Sequence, residues 1–255
     1  MNRLNASFII GIISPLSAIL LWIVLKEATL VSDRFLPPPS EVLNVFASNF
    51  NNIWFHTAIS TFRVLGYFSI SLIFGIVSAS FLFRHRYVRD YFLPLLQSIR
   101  AIPATATLPF FILWFGFSET GRFLVIFIAI ATNICIAALQ IFNNLHDKYL
   151  FAYQSYGISS RNVSFTDLCF FSMESLLPTL RFSLTVLIGV SVVAELLGAQ
   201  QGLGYLIQGA RTSYALEVLF SCAILYGVMT VLLDYFLRLI WKHIIPWRQS
   251  LAFDN

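Results

Sequence analysis

Charge is what this sequence lacks most. Asp, Glu, Lys and Arg make up 11% of its 255 residues, where soluble domains carry roughly a quarter. Hydrophobic side chains make up 58%, with a mean hydropathy of +0.80. A water-soluble globule with a charged shell is therefore excluded. Cysteine is scarce too: Cys135, Cys169 and Cys222 stand in or beside apolar runs without CxxC or Cys/His spacing, so they read as small buried hydrophobes, with no disulfide framework and no metal site. The four histidines, His56, His85, His146 and His243, show no ligand spacing and are expected in solvated or interfacial connections. No phosphate loop is present, because "GLGYLIQG" at 202–209 has glycines but no Gly-Lys-Ser/Thr and follows a membrane-type run instead of a strand. No Ser/His/Asp or paired-carboxylate arrangement can be defended, so neither a catalytic residue nor a resident cofactor is expected. The net charge of +4 lacks the basic stripe interleaved with aromatics that nucleic-acid binding needs.

What is present is a series of long apolar runs. About 20 apolar residues cross the hydrocarbon core as a helix, which satisfies every backbone group internally. Six windows qualify, at residues 8–25, 64–83, 93–117, 123–142, 176–197 and 218–241. The first has no small-x-small cleavage site and reads as an uncleaved span. Placing the N-terminus in the cytoplasm puts nine Lys and Arg inside (Arg3, Arg84, Arg86, Arg89, Lys148, Arg161, Arg238, Lys242 and Arg248) and five outside (Lys26, Arg34, Arg63, Arg122 and Arg211). Positive-inside bias thus predicts both termini in the cytoplasm.

The connections divide the chain into residues 1–62, an N-terminal span with a periplasmic interfacial segment; 63–245, the core with a cytoplasmic loop at about 143–175; and a short tail at 246–255. In the first connection, Pro37, Pro38 and Pro39 enforce an extended start, and Ser40 is expected to cap an amphipathic helix bearing Val42, Leu43, Val45 and Phe46. The loop from Asn143 is too long for a hairpin, and Gly157 suggests two short helices turning there.

Charges inside spans are costly and are functional candidates by default. Arg181 is placed to snorkel, Glu195 to sit in the interface or line a pathway, and Asp234 to pair with Arg238 at i, i+4. Arg100 accompanies Pro103 and Pro109, which predicts a kinked third span near the central axis.

Four stretches in order, "FLPPPSEV" at 35–42, "HTAISTFRVLGY" at 56–67, "LLQSIRAIPATATLPFFILWFGFSETGR" at 95–122 and "VVAELLGAQQGLGYLI" at 192–207, resemble the permease subunits of ABC importers for nitrate, sulfonates, taurine and related compounds, within the broader binding-protein-dependent transport permeases. The resemblance covers almost the whole chain. It implies an all-α, polytopic, six-span type I importer fold in the bacterial inner membrane, working as a dimer, most simply a homodimer. Two cytoplasmic ABC ATPase subunits would bind the ATP, and a periplasmic or lipid-anchored binding protein would deliver the ligand. The mechanism implied is alternating access.

In these permeases a cytoplasmic loop with a Glu-Ala-Ala triplet followed by a glycine engages the ATPase. Anchored on Gly157, the triplet falls on Phe151, Ala152 and Tyr153, of which only the alanine matches. Without gaps the family's Gly-Leu-Arg then falls on Thr179, Leu180 and Arg181, and its Ala-Glu on Ala194 and Glu195. The expected ATPase-coupling residues are therefore Phe151, Ala152, Tyr153, Tyr156, Gly157, Ile158 and Ser159, with aromatic rings supplying the buried contact. The implied substrate pathway runs past Arg100, Thr105, Asn133 and Glu195. The rival readings are a degenerate accessory permease and a stand-alone secondary transporter or channel; the latter favours repeated halves with paired broken helices, and only the third span here is proline-broken.

Overall fold

The computed structural model describes the backbone of residues 3–28, 31–32, 35–155 and 165–245, with side chains over 13, 16–28, 31–32, 35–144 and 172–245. The described residues form α-helices without strands: α1 (Arg3–Glu27), α2 (Pro39–Ser48), α3 (Phe50–Arg84), α4 (Arg86–Ala101), α5 (Ala104–Phe115), α6 (Glu119–Ser155), α7 (Phe165–Leu196), α8 (Leu203–Ser213) and α9 (Leu216–Ile244). Among them, four helices are long and apolar enough to cross a membrane, and the bent pair α4 and α5 makes a fifth. The first expected window lies within α1, a 25-residue helix.

The apolar windows understate the helices. The second was expected to begin at residue 64, but α3 begins at Phe50 and has 35 residues, about 52 Å at 1.5 Å per residue. It therefore runs unbroken through the expected 62/63 boundary and well beyond a hydrocarbon core of about 30 Å. Its polar first half stays helical because those side chains find partners inside the protein, as described below. In the same way α6 runs 37 residues to Ser155 and α7 starts at Phe165. The helices flanking the 156–164 segment are thus continuous with spans, where two short separate helices were expected.

The third window is broken at Pro103 as expected, so sharply that it forms two helices. Ile102 is extended (φ −82°, ψ 121°) and Pro103 opens α5, with α4 and α5 meeting at 94°. A residue before proline is pushed out of the helical region, and Pro103 has no N–H to continue α4. Pro94, Pro109 and Pro178 are carried inside α4, α5 and α7. Arg100, just before the break, is exposed on the single chain.

α6 is the most deeply embedded span. Ile126, Ile130, Ile134 and Phe142 along it are fully buried and meet Val64 and Phe68 of α3 and Leu176, Leu180 and Leu187 of α7. The ring pairs Tyr67–Phe123, Phe74–Phe127 and Phe83–Phe142 advance together, so α3 and α6 run in the same direction. They approach closely at Gly75, where a Cβ would stand 2.9 Å from Ile134 Cβ. Small residues at such crossings are how membrane helices gain van der Waals contact, since lipid offers no hydrophobic drive between them.

Two smaller expectations change. Ser40 is not the cap of α2: Pro38 holds that position and Pro39 opens the helix, where a missing N–H costs nothing. α2 is also not a free interfacial helix. Val42 and Val45 are buried, and the Val42 carbonyl accepts from Ser221 Oγ of α9 at 3.4 Å.

Candidate functional site

A carboxylate in a membrane protein interior must be paired. Glu195, in the last turn of α7, is 1% exposed. Four groups reach it: Arg63 of α3 donates at 2.5 Å, Ser60 Oγ of α3 at 2.8 Å, Tyr226 Oη of α9 at 2.9 Å, and the Gly204 backbone N–H of α8 at 2.9 Å. The expectation that Glu195 sits in the interface is corrected: no water-facing surface is left on it, because these partners close around both oxygens.

The node extends in two directions. Arg63 is also bidentate to Glu119 at the start of α6, with Nε at 3.1 Å and Nη2 at 2.6 Å. Glu119 further receives Tyr67 Oη at 3.0 Å and Arg122 at 2.9 Å. Arg122 then donates to the Phe117 and Gly198 carbonyls at 3.0 and 3.3 Å. Two arginines and two glutamates thus compensate one another, and a buried guanidinium with a bidentate partner is the strong form of such a pair.

The other direction is α8. The first N–H groups of a helix have no partner within it. Here Gly202, Leu203 and Gly204 donate to His56 Nδ1 at 3.0 Å, Ser60 Oγ at 2.9 Å and Glu195. A carboxylate at the positive end of α8 is also electrostatically favourable. Glycine is required for the approach: a Cβ on Gly202 would overlap the Glu195 carboxyl and crowd Arg63, and one on Gly204 would overlap Glu195 Cβ. Gly202 also takes φ +116°, which side-chain-bearing residues rarely adopt.

His56 is therefore no solvated loop histidine but a buried acceptor inside α3. The signal for its group was in the sequence. Positions 56, 60, 63 and 67 are polar in an apolar neighbourhood and repeat at i, i+4, i+7, i+11, one face of a helix. Tyr226 and Glu119 carry no comparable signal.

A second polar cluster lies along α7 and α9 towards the opposite end. Asp234 pairs with Arg238 as expected. It also accepts from Arg181 at 2.5 and 3.1 Å, so Arg181 is held by a neighbouring helix rather than snorkelling alone. Trp241 Nε1 closes this end on the Met173 carbonyl at 2.9 Å.

The four expected pathway residues do not meet. Arg100 and Thr105 are exposed on either side of the α4–α5 break. Asn133, half-buried in α6, donates to Ser183 Oγ of α7 at 3.0 Å, and Glu195 is locked in its node. Of the coupling residues, Phe151, Ala152 and Tyr153 fall in the last turns of α6, their side chains not described. Tyr156, Gly157, Ile158 and Ser159 lie outside the described residues. Among the described residues no group of three His, Cys, Asp or Glu is placed to hold a metal ion.

An all-α bundle of long apolar helices, one of them broken, with charges compensated internally, defines a polytopic membrane protein. The chain belongs to the family of binding-protein-dependent transport system inner membrane components, whose pattern matches residues 71–248. It is 28% identical over 233 residues to the taurine transport system permease protein TauC of Escherichia coli (strain K12), covering 89% of this chain and 85% of TauC. It is 29% identical over 255 residues to SsuC of Bacillus subtilis (strain 168), named provisionally as an aliphatic sulfonates transport permease protein, covering 94% and 88%. The formylaminopyrimidine transport permease protein ThiX of Halalkalibacterium halodurans is 22% identical over 216 residues, covering 84% and 86%. The protein is therefore an ABC importer permease subunit of type I fold and a multi-pass inner-membrane protein. It is not itself an enzyme, and the family implies an ATPase and a substrate-binding protein as partners.

Proposed function

We propose that two copies of this chain form the membrane channel of an importer for a small sulfonated or otherwise anionic, nitrogen-containing compound, with both termini cytoplasmic. Two ATPase subunits bind the ATP, and an exported binding protein supplies the ligand. Residues 151–159 are the coupling segment, Phe151, Tyr153 and Tyr156 gripping the ATPase and Gly157 turning the chain. The observation that carries this reading is that α6, a single helix of 37 residues, runs on through Phe151–Ser155, and that α7, a single helix of 32 residues, begins again at Phe165, each longer than a span needs. A rigid helix pair transmits displacement at its tip to the spans, and ATP moves the equilibrium only through contacts that differ between two states. Asn133 and Ser183 hold these two helices together within the membrane, so they move as a unit. Asn133, with Arg100 and Thr105 on the exposed α4–α5 corner, faces the pathway.

The test is reconstitution of the chain with its ATPase and binding protein in proteoliposomes. Uptake of a radiolabelled sulfonate such as taurine is expected to need ATP and the binding protein, and Tyr153→Ala or Gly157→Pro is expected to reduce ATPase co-purification and uptake together. Uptake without ATP, or full complex formation and transport by both variants, would overturn the reading.

A further inference from the structure

Polar bonds tie most of the bundle together. Arg63 joins α3 to α6, Ser60 joins α3 to α7, Asn133 joins α6 to α7, Tyr226 and Arg181 join α7 to α9, and the first N–H groups of α8 reach α3 and α7. The broken pair α4 and α5 stands outside this network. Every side-chain hydrogen bond, ion pair and ring contact of its described residues stays within the helix that makes it, as Arg86 and Arg89 on Asp90 and Thr107 Oγ1 on the Ala104 carbonyl do. What holds α5 to the chain is apolar: Leu108 is buried in the core, and beyond it Thr107 and Phe111 face Val125 and Ile128 of α6 across an unfilled space of about 80 Å³. Apolar contact is non-directional, so such a face can slide where a hydrogen-bonded one has to break.

The fixed side of the joint is equally defined. Arg122 donates to the Phe117 and Gly198 carbonyls, and the Phe117 ring lies so close on Gly198 that a Cβ there would overlap it. Arg122 also meets Glu119, so residue 117 is anchored to the clasp. Gly116, immediately before it, ends α5 at φ +65° and ψ −164°, a region essentially reserved to glycine. A Cβ on Gly116 meets nothing within 4 Å, so glycine is required there for its torsion and not for space. Across the joint, Gly121 lets α6 pass the end of α5, since a Cβ on it would stand 3.1 Å from Phe115 Cβ. Hinges are a few element-terminal residues that absorb a torsion change. Here one lies at Gly116 and the second at the Ile102–Pro103 break, where α4 and α5 meet at 94°.

We propose that Gly116 is the pivot on which α5 swings, with the α4–α5 corner, between the two states of the transport cycle. The corner carries Arg100 and Thr105 across the pathway while the clasped helices keep their places. The proposal rests on the transport reading above and adds to it the element that moves.

The experiment uses the permease with its ATPase and binding protein in proteoliposomes, with Cys135, Cys169 and Cys222 changed to serine. Thr107→Cys with Ile128→Cys is bridged by a short, reducible bis-thiosulfonate reagent, which pins α5 to α6 across the unfilled space. The expected result is loss of uptake on bridging and its return on reduction, with the ATPase bound throughout. The same bridge between Phe74→Cys and Phe127→Cys, whose rings meet between α3 and α6, is expected to leave uptake unchanged. Gly116→Ala alters a torsion without a clash, so it is expected to lower the maximal rate of uptake while leaving the folded yield and the half-saturating concentration of binding protein unchanged. Full uptake by the bridged Thr107/Ile128 protein, or a full maximal rate for Gly116→Ala, in a system that still needs ATP and binding protein, would overturn the pivot alone. Loss of uptake on bridging Phe74 to Phe127 would also overturn it, because the clasped helices would then move as well. Uptake by the unbridged protein without ATP would instead overturn the transport reading.

Discussion

At the residue scale, Glu195 and Arg63 set the energetics of the node. Removing one partner of a buried pair leaves an uncompensated charge, which costs about 3–5 kcal/mol, so Glu195→Ala should lower the thermal midpoint and the yield of the detergent-solubilised protein sharply. Tyr226→Phe deletes one hydrogen bond to a charged group, worth about 1.5–3 kcal/mol, and should fall between wild type and Glu195→Ala in the same assay. A double-mutant cycle should show coupling between the two, since they share one carboxylate. Asp234 gives the contrast. Its side chain is 18% exposed, and its partners Arg181 and Arg238 are 41% and 55% exposed. Such pairs contribute about 1 kcal/mol or less, so Asp234→Asn should shift the midpoint much less than Glu195→Ala; an equal shift would refute the ranking. Glycines provide a matched pair. Gly202→Ala meets both overlap and an unfavourable φ, whereas a Cβ on Gly66 meets nothing within 4 Å, so Gly202→Ala should destabilise and Gly66→Ala should be neutral or slightly stabilising.

At the element scale, the α4–α5 corner and the α8 N-terminus are built on opposite logics. The corner is local: Pro103 ends one helix and starts the next, so it is written in adjacent residues. Pro103→Ala should relax the 94° bend, read as a longer separation of spin labels placed at the exposed positions Leu95 and Leu113; an unchanged distance distribution would mean that packing, not proline, holds the corner. The α8 start is remote: its N–H groups are satisfied by His56, Ser60 and Glu195 from α3 and α7. The polar repeat at 56, 60, 63 and 67 was legible as a helix face, but no rule of sequence says what that face meets. For this reason His56 and Glu195, read singly, point to solvent or the interface, and the structure buries both.

For the whole molecule, one end of the bundle is clasped by charge and hydrogen bonds across α3, α6, α7, α8 and α9, at the end opposite the Arg181–Asp234–Arg238 cluster. The all-α class, the membrane location and the permease family were determined by the sequence itself, because burial in lipid is a sum of local transfer free energies over about 20 consecutive residues. The motif letters added register to that sum. Which charges neutralise which was decided only by tertiary structure. Ser60 and Arg63 reach Glu195 across 135 and 132 residues, and a charge far along the chain enters no local sum. The low dielectric around the node makes its pairing obligatory, yet only the folded arrangement of helices says with whom.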